Sequence, residues 1–267
     1  MNLKKIGIAL SGGGSRGFAH LGVLKALEEK GIEFDVISGT SAGSIVGALL
    51  ASGLSVDEIF SLMKAKKFTD YAKIAIFKDG FMTLESLKKN LTHTLKEATF
   101  EQLPKALYIS VSNINTGEVE YLHKGNVVDA VIASSSIPIL FEPIVLNQQT
   151  YVDGGLLDNL PIVPLLSTCD IIVAVNVMPV EKLQIVDGMR DVALRIFEVG
   201  IGHVHPELKA RCDLYVEPKG IDKYHILDPQ SADELFELGY QATKNHPDLD
   251  GLVKKIHKKK SFFKFGK

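Results

Sequence analysis

Ser38-Gly39-Thr40-Ser41-Ala42-Gly43-Ser44 is the stretch whose reading decides the fold. The run before it, Phe34-Asp35-Val36-Ile37, has the β-branched content of a strand. After it, Ile45-Val46-Gly47-Ala48-Leu49-Leu50-Ala51 is apolar almost all round, the pattern of a helix buried on every side. Gly39-Thr40-Ser41-Ala42-Gly43 is therefore G-x-S-x-G set between a strand and a helix, the context of a nucleophile elbow. Glycine at 39 and 43 lets the chain turn sharply and leaves Ser41 unobstructed. The helix behind it turns free N–H groups and a positive dipole end toward charge developing at Ser41. The bland alternative is a tight turn of small residues, and only the companions of this stretch decide between the two.

Working outward, Lys5 to Leu10 reads as a buried first strand, followed by the glycine loop Ser11-Gly12-Gly13-Gly14-Ser15-Arg16-Gly17. Phe18, Leu21, Leu24 and Leu27 then recur at helical spacing until Gly31 ends the helix. Strand, helix, strand, helix within about fifty residues is a βαβ opening, which implies a parallel pair of strands.

Further on, Ser55-Val56-Asp57-Glu58 is a capping box opening a short helix, and Thr83-Leu84-Glu85-Ser86 begins another that carries Leu84, Leu87, Leu91 and Leu95. Between them, Tyr71 to Phe81 is apolar and ill-defined, read either as helical packing or as a mobile cover over a site. Leu107-Tyr108-Ile109-Ser110-Val111 is a strand with a neighbour at Gly117–Leu122, and Val127 to Ala133 is a helix running into Ser134-Ser135-Ser136-Ile137-Pro138. Asn147-Gln148-Gln149 joins two short strands as a hairpin. Ile171 to Val177 is the strongest buried-strand pattern in the chain. A helix is expected over Asp187–Gly202, a last strand over Asp213–Glu217 and a last helix over Ala232–Thr243. The fold class is α/β.

At 267 residues, 46% hydrophobic and 23% charged, with no Ser/Pro/Gly-rich linker, the chain reads as a single domain over 1–253 with a tail over 254–267. A net charge of −2 lacks the basic footprint of a nucleic-acid binder. The two cysteines, Cys169 and Cys212, lie beside apolar runs and read as buried thiols of a reducing compartment. Ile6-Gly7-Ile8-Ala9-Leu10 is too short for a signal-peptide core, so a cytoplasmic location is expected, with any membrane contact peripheral at the inner surface. The tail from Lys254 to Lys267 concentrates lysine and phenylalanine, a composition suited to an anionic membrane surface and equally to a solvated terminus.

An acyl-transfer serine needs a base and donors for an oxyanion. Consecutive N–H groups at Gly12, Gly13 and Gly14 are suitable donors, and Arg16 adds a positive charge beside them. Gly12, Gly14 and Gly17 also spell G-x-G-x-x-G, the dinucleotide fingerprint. That rival needs an acid at the end of the second strand, whereas Asp35 precedes Val36-Ile37, at the wrong end. Eight histidines leave a Ser–His–Asp triad open, with His20, His203, His205, His225 and His246 as members, none in a distinctive setting. Asp153, at a strand end and followed by Gly154-Gly155, is the better base; its bland reading is an ordinary Asp-Gly turn.

Four blocks in order, Gly12–Gly17, Gly39–Gly43, Ala133–Pro138 and Asp153-Gly154-Gly155 with Asn159 and Pro161 behind it, resemble the patatin-like phospholipase family over roughly residues 5 to 180, and the chain is similar to its small bacterial members. The resemblance implies a three-layer fold, a mostly parallel central sheet with helices on both faces. It implies a Ser–Asp dyad of Ser41 and Asp153 with Gly12–Gly14 as oxyanion hole, supported by Arg16, Gly39, Gly43, Gly154 and Gly155. It further implies hydrolysis of phospholipid or lysophospholipid esters with no metal and no cofactor. A catalytically idle protein that binds an acyl ligand or a regulatory partner is the alternative.

Overall fold

The computed structural model describes residues 4–65, 84–180, 188–226 and 229–261. Its centre is one 8-stranded sheet. In chain order the strands are β1 (Ile6–Leu10), β2 (Val36–Gly39), β3 (Ala106–Asn113), β4 (Glu118–Leu122), β5 (Ile144–Leu146), β6 (Gln149–Asp153), β7 (Ile171–Val175) and β8 (Leu214–Val216). Their spatial order is β5-β6-β3-β2-β1-β7-β8, with β4 paired to β3 off this path. From β3 to β8 the pairs are parallel, while β4, β5 and β6 join antiparallel.

Ten helices accompany the sheet among the described residues: α1 (Phe18–Glu29), α2 (Ala42–Ala51), α3 (Val56–Lys64), α4 (Glu85–Leu95), α5 (Val127–Ser134), α6 (Val163–Leu166), α7 (Met189–Gly202), α8 (Pro206–Lys209), α9 (Ala232–Lys244) and α10 (Leu249–Ser261). Strand alternation sorts the core into two sides. Ile8, Leu10, Ile37, Leu107, Ile109, Val173 and Val175 face a large cluster with α1–α5, α9 and α10. Ala9, Val36, Ile172 and Ala174 face a smaller one with Leu165 of α6, and Leu208 of α8 packs against it. Both sides being covered, β1 and β7 are buried at every residue, which is why they read as unbroken apolar runs. Each fully buried Ile or Leu here contributes about 1.5–3 kcal/mol of burial free energy.

Several expectations meet the structure closely. The Ser55–Glu58 capping box is formed, and the hairpin pairs Ile144–Leu146 with Gln149–Tyr151. Others differ. The helix ending at Lys244 is not the last, because α10 follows it, and the boundary expected after residue 253 falls inside α10. Leu249 and Leu252 are buried there, and Ile256 packs on the main core, so the lysines of this segment ride on a docked helix. Cys169 and Cys212 are free and half-buried rather than fully enclosed. The stretch Tyr71–Phe81 lies outside the described residues. No described helix is long and apolar enough to cross a membrane.

Helices α1 and α9 pack with their backbones close together at two glycines. A Cβ on Gly239 would strike the carbonyl of Ala19, and one on Gly22 that of Phe236. Helix propensity favours alanine over glycine by about 1 kcal/mol, but overpacking against backbone that cannot rotate away costs about 1–3 kcal/mol. Gly239→Ala is therefore expected to destabilise the fold by up to about 2 kcal/mol, read as a lower urea midpoint with an unchanged slope.

Candidate active site

Position on β3 brings the site together. Its first half, Ala106–Ile109, pairs with β2, and its second half, Val111–Asn113, pairs with β6. Since β4 occupies the other edge over Ile109–Asn113, β2 and β6 share one edge and run toward each other along it. β2 stops at Gly39 opposite Ile109, and β6 stops at Asp153 opposite Val111. The elbow at Ser41 and the turn at Asp153 are thus delivered to one point, from positions far apart in the chain. β1 ends level with β2, Leu10 beside Gly39, which sets the glycine loop against the same point.

Ser41 is buried and has φ 50° and ψ −120°, a left-handed conformation that costs a non-glycine residue about 1–3 kcal/mol. Surrounding hydrogen bonds hold it there. Its N–H donates to Ser134 Oγ at 2.9 Å, and Ser134 Oγ donates to the Ser110 carbonyl at 2.7 Å. Its carbonyl accepts from Ser44 Oγ at 2.6 Å and from the N–H groups of Ser44 and Ile45 at 2.9 and 3.1 Å. Close approach explains glycine at 43, where a Cβ would strike the Leu10 carbonyl at the end of β1.

Asp153 is 2% exposed. Its Oδ1 accepts the Gly155 N–H at 2.7 Å, and the Ser41 side chain lies near enough to act on the same carboxylate. Burial pushes its pKa up to about 7, opposed by Gly155 and Ser41. The Asp153 N–H donates to the Ser136 carbonyl at 2.9 Å. The small-residue run Ser134-Ser135-Ser136 therefore supports both partners, Ser41 through a hydroxyl and Asp153 through a carbonyl. The sequence marks that run as support for the site, but the separate tasks of Ser134 and Ser136 depend on contacts with residues far away in the chain.

The glycine loop differs from expectation at one residue. The Gly12 N–H is engaged, donating to the Asn159 carbonyl at 3.2 Å and to Asn159 Oδ1 at 3.1 Å, so it is not a free oxyanion donor. The N–H groups of Gly13 and Gly14 donate to no group among the described residues. Gly14 has φ +56°, and a Cβ there would strike the Ile226 carbonyl, which accepts the Ser15 N–H at 2.7 Å. Arg16 is buried, donating from Nε to the Tyr224 carbonyl at 2.9 Å and from Nη2 to the Asp222 carbonyl at 3.2 Å. It straps the loop to the chain around residue 223.

Segment 158–161 is clamped to the elbow. Thr40 and Ser110 hydroxyls donate to the Asp158 carbonyl at 3.1 and 3.0 Å, and the Ser38 hydroxyl to the Pro161 carbonyl at 2.6 Å. Asn159 belongs with the functional residues on this geometry, and its only sequence signal is its short distance after Asp153-Gly154-Gly155. Beyond Gly155 and Asn159 opens a cavity of about 580 Å³ lined also by Tyr121, Leu157, Asp158 and Ile201.

Other chemistries find less support. His20 is fully buried, its Nε2 donating to the Ser11 carbonyl at 2.8 Å, and burial lowers its pKa to about 4, so it stays neutral at pH 7. The influences on the Asp153 carboxyl are burial, Gly155 and Ser41, with no histidine among them. Asp35, the acid a dinucleotide would need, spends its carboxylate on the Ile6 N–H at 2.8 Å, at the far end of β1 from the glycine loop. No group of three metal-ligating side chains occurs among the described residues.

Comparison with known proteins agrees with this architecture. The chain is 30% identical over 283 aligned positions to lysophospholipase nte1 of Aspergillus niger, which spans 91% of this chain and 18% of that protein. It is 27% identical to lysophospholipase NTE1 of Kluyveromyces lactis, over 88% of this chain and 18% of that one. The chain thus spans less than a fifth of the length of these relatives. Among solved structures, VipD from Legionella pneumophila superposes with a TM-score of 0.54 at 17% identity, covering 94% of this chain and 67% of VipD, a likeness of fold alone. The family model described as "Patatin-like phospholipase" matches residues 8–166, which is more than half of the sequence. With the elbow, the glycine loop and the Asp-Gly-Gly turn assembled at one end of the sheet, the chain belongs to the patatin-like phospholipase family.

Proposed function

We propose that this chain is a serine acyl hydrolase of lipid esters, of the phospholipid or lysophospholipid class, in which Ser41 is the nucleophile and Asp153 its base. What supports this reading is the approach of the Ser41 side chain to a buried carboxyl whose pKa is raised to about 7. An ordinary aspartate near 3.9 is a feeble base toward a hydroxyl, whereas one near the working pH is matched to the task. Asp153 takes the proton of Ser41 Oγ as that oxygen attacks the ester carbonyl. The Gly13 and Gly14 N–H groups receive the oxyanion, each such donor being worth about 2.7–4 kcal/mol in the transition state. Asp153 then passes the proton to the departing alcohol, and water repeats the sequence on the acyl-serine.

A lipid substrate fits the surroundings. Met189, Val192, Ile196 and Val199 are exposed along α7, and Leu156 and Leu157 are exposed just after Gly155. The names of the fungal relatives point the same way. The lysine-rich end of α10 and the residues after it are proposed to add a peripheral contact with an anionic, inner membrane surface.

Ser41→Ala is expected to abolish hydrolysis of a short p-nitrophenyl ester, and Asp153→Asn to lower it about a thousandfold or more, with circular dichroism unchanged. A fluorophosphonate should label Ser41 in the wild type. Turnover that survives both substitutions would point instead to an idle ligand-binding protein with a contaminating activity. Because the base must be ionised, kcat/KM should rise with pH through a midpoint near 7, and that limb should vanish in Asp153→Asn. Stability has the opposite sign: the raised pKa favours folding of the protonated form, a contribution complete below about pH 4 and lost as pH rises through 7. Ser134→Ala leaves the Ser41 N–H without its partner, and should cost about 1–3 kcal/mol of stability together with a fall in kcat at unchanged KM. Replacing Lys258, Lys259 and Lys260 by glutamine should weaken sedimentation with phosphatidylserine vesicles and leave soluble-ester turnover intact; equal sedimentation rejects the membrane contact.

A further inference from the structure

Resting on the acyl-hydrolase reading, we infer that Asn159 reads the alcohol half of the substrate, donating from Nδ2 to a free hydroxyl next to the ester. Asn159 is 6% exposed, and its Nδ2 has no hydrogen-bond partner among the described residues. Its orientation is fixed by chemistry: Oδ1 accepts the Gly12 N–H at 3.1 Å, and a flipped amide would set donor against donor there. The buried NH2 is therefore a committed donor seeking an acceptor.

The surroundings say which acceptor. A Cβ placed on Gly155 would lie 3.0 Å from both Asn159 Oδ1 and Asp153 Oδ1, so the amide and the carboxylate border one space that only a glycine leaves open. A Cβ on Gly12 would lie 2.5 Å from Asn159 Oδ1 and 3.2 Å from Ser41 Cβ, which puts the amide beside the nucleophile as well. Asp153, carrying the proton from Ser41 Oγ, must hand it to the alcohol oxygen as the ester C–O bond breaks, so that oxygen and its nearest substituents lie beside Asp153. The cavity has in its wall Asn159 and Gly155, whose N–H donates to Asp153 Oδ1. Its wall also contains the carboxyl of Asp158, which accepts from Tyr121 OH at 2.6 Å. His203 and His205 also line the cavity, but Asn159 borders the same space as the Asp153 carboxyl, beside which a phosphate is a poor acceptor. A neutral hydroxyl suits the place: it accepts from Nδ2 and keeps a proton to donate. The substrate class is thus an ester with an unesterified neighbouring hydroxyl, and a site built to bond that hydroxyl discriminates against the analogue lacking it.

The test uses two butyrate esters that differ by one oxygen, 2-hydroxypropyl and n-propyl. The full-length wild type should prefer the hydroxy ester about tenfold in kcat/KM. Asn159→Leu keeps the volume without polarity, and Asn159→Asp keeps an acceptor for the Gly12 N–H without the donor; in both, the preference should fall to about one. Should Asn159→Leu fail to fold, Asn159→Asp decides, read at the high-pH plateau where added charge no longer affects ionisation of the base. A wild type indifferent to the hydroxyl, or variants that retain the preference, overturns the assignment while Ser41-dependent hydrolysis still stands. Loss of all Ser41-dependent hydrolysis in the wild type overturns the parent reading, and this one with it.

Discussion

Everything at this site depends on two strands that meet head-on along one edge of β3. A parallel strand, β2, carries the serine to within two residues of the place where an antiparallel strand, β6, leaves the carboxylate. Neither turn is chemically unusual by itself. Their contact withdraws the carboxyl from water, and this withdrawal raises its pKa to about 7. The Gly155 N–H adds a backbone hydrogen bond to the same carboxylate.

The support around this contact is made of hydroxyls and carbonyls rather than ion pairs. Ser38, Thr40, Ser110 and Ser134 each donate to a backbone carbonyl, and three of the four bonds reach segment 158–161. Short hydroxyl side chains allow backbones to approach closely and satisfy groups that burial would otherwise leave unpaired. The elbow's strained conformation at Ser41 persists because its N–H and carbonyl are both held by this lattice.

Much of this was legible from local pattern. The elbow shows in five residues, and the buried strands show as unbroken apolar runs because helices cover both faces of the sheet. Asp153 stood out through the two glycines after it, one of which lies where a Cβ would strike the Ser110 carbonyl. Pairwise contacts between distant residues were not legible. Nothing near Gly12 announces that its N–H is taken by Asn159, and nothing in Ser134-Ser135-Ser136 says which hydroxyl accepts the Ser41 N–H. The tail expected over 254–267 begins inside the helix Leu249–Ser261, whose apolar residues are interleaved with lysines, so only the core it docks on shows which face matters.

The central strand has a consequence for how the molecule comes into being. β1 lies between β2 and β7, and the register Gly7↔Ile172 ties the start of the chain to a strand more than a hundred and fifty residues later. Until ribosomal synthesis has passed β7, β1 has one bare edge, and the loop that follows it lacks the Val175 carbonyl that receives the Ser11 N–H. A nascent or truncated chain that already holds Ser41 and Asp153 thus has an unfinished glycine loop. Late closure of the sheet exposes a sticky apolar border during translation, where a chaperone has most to do.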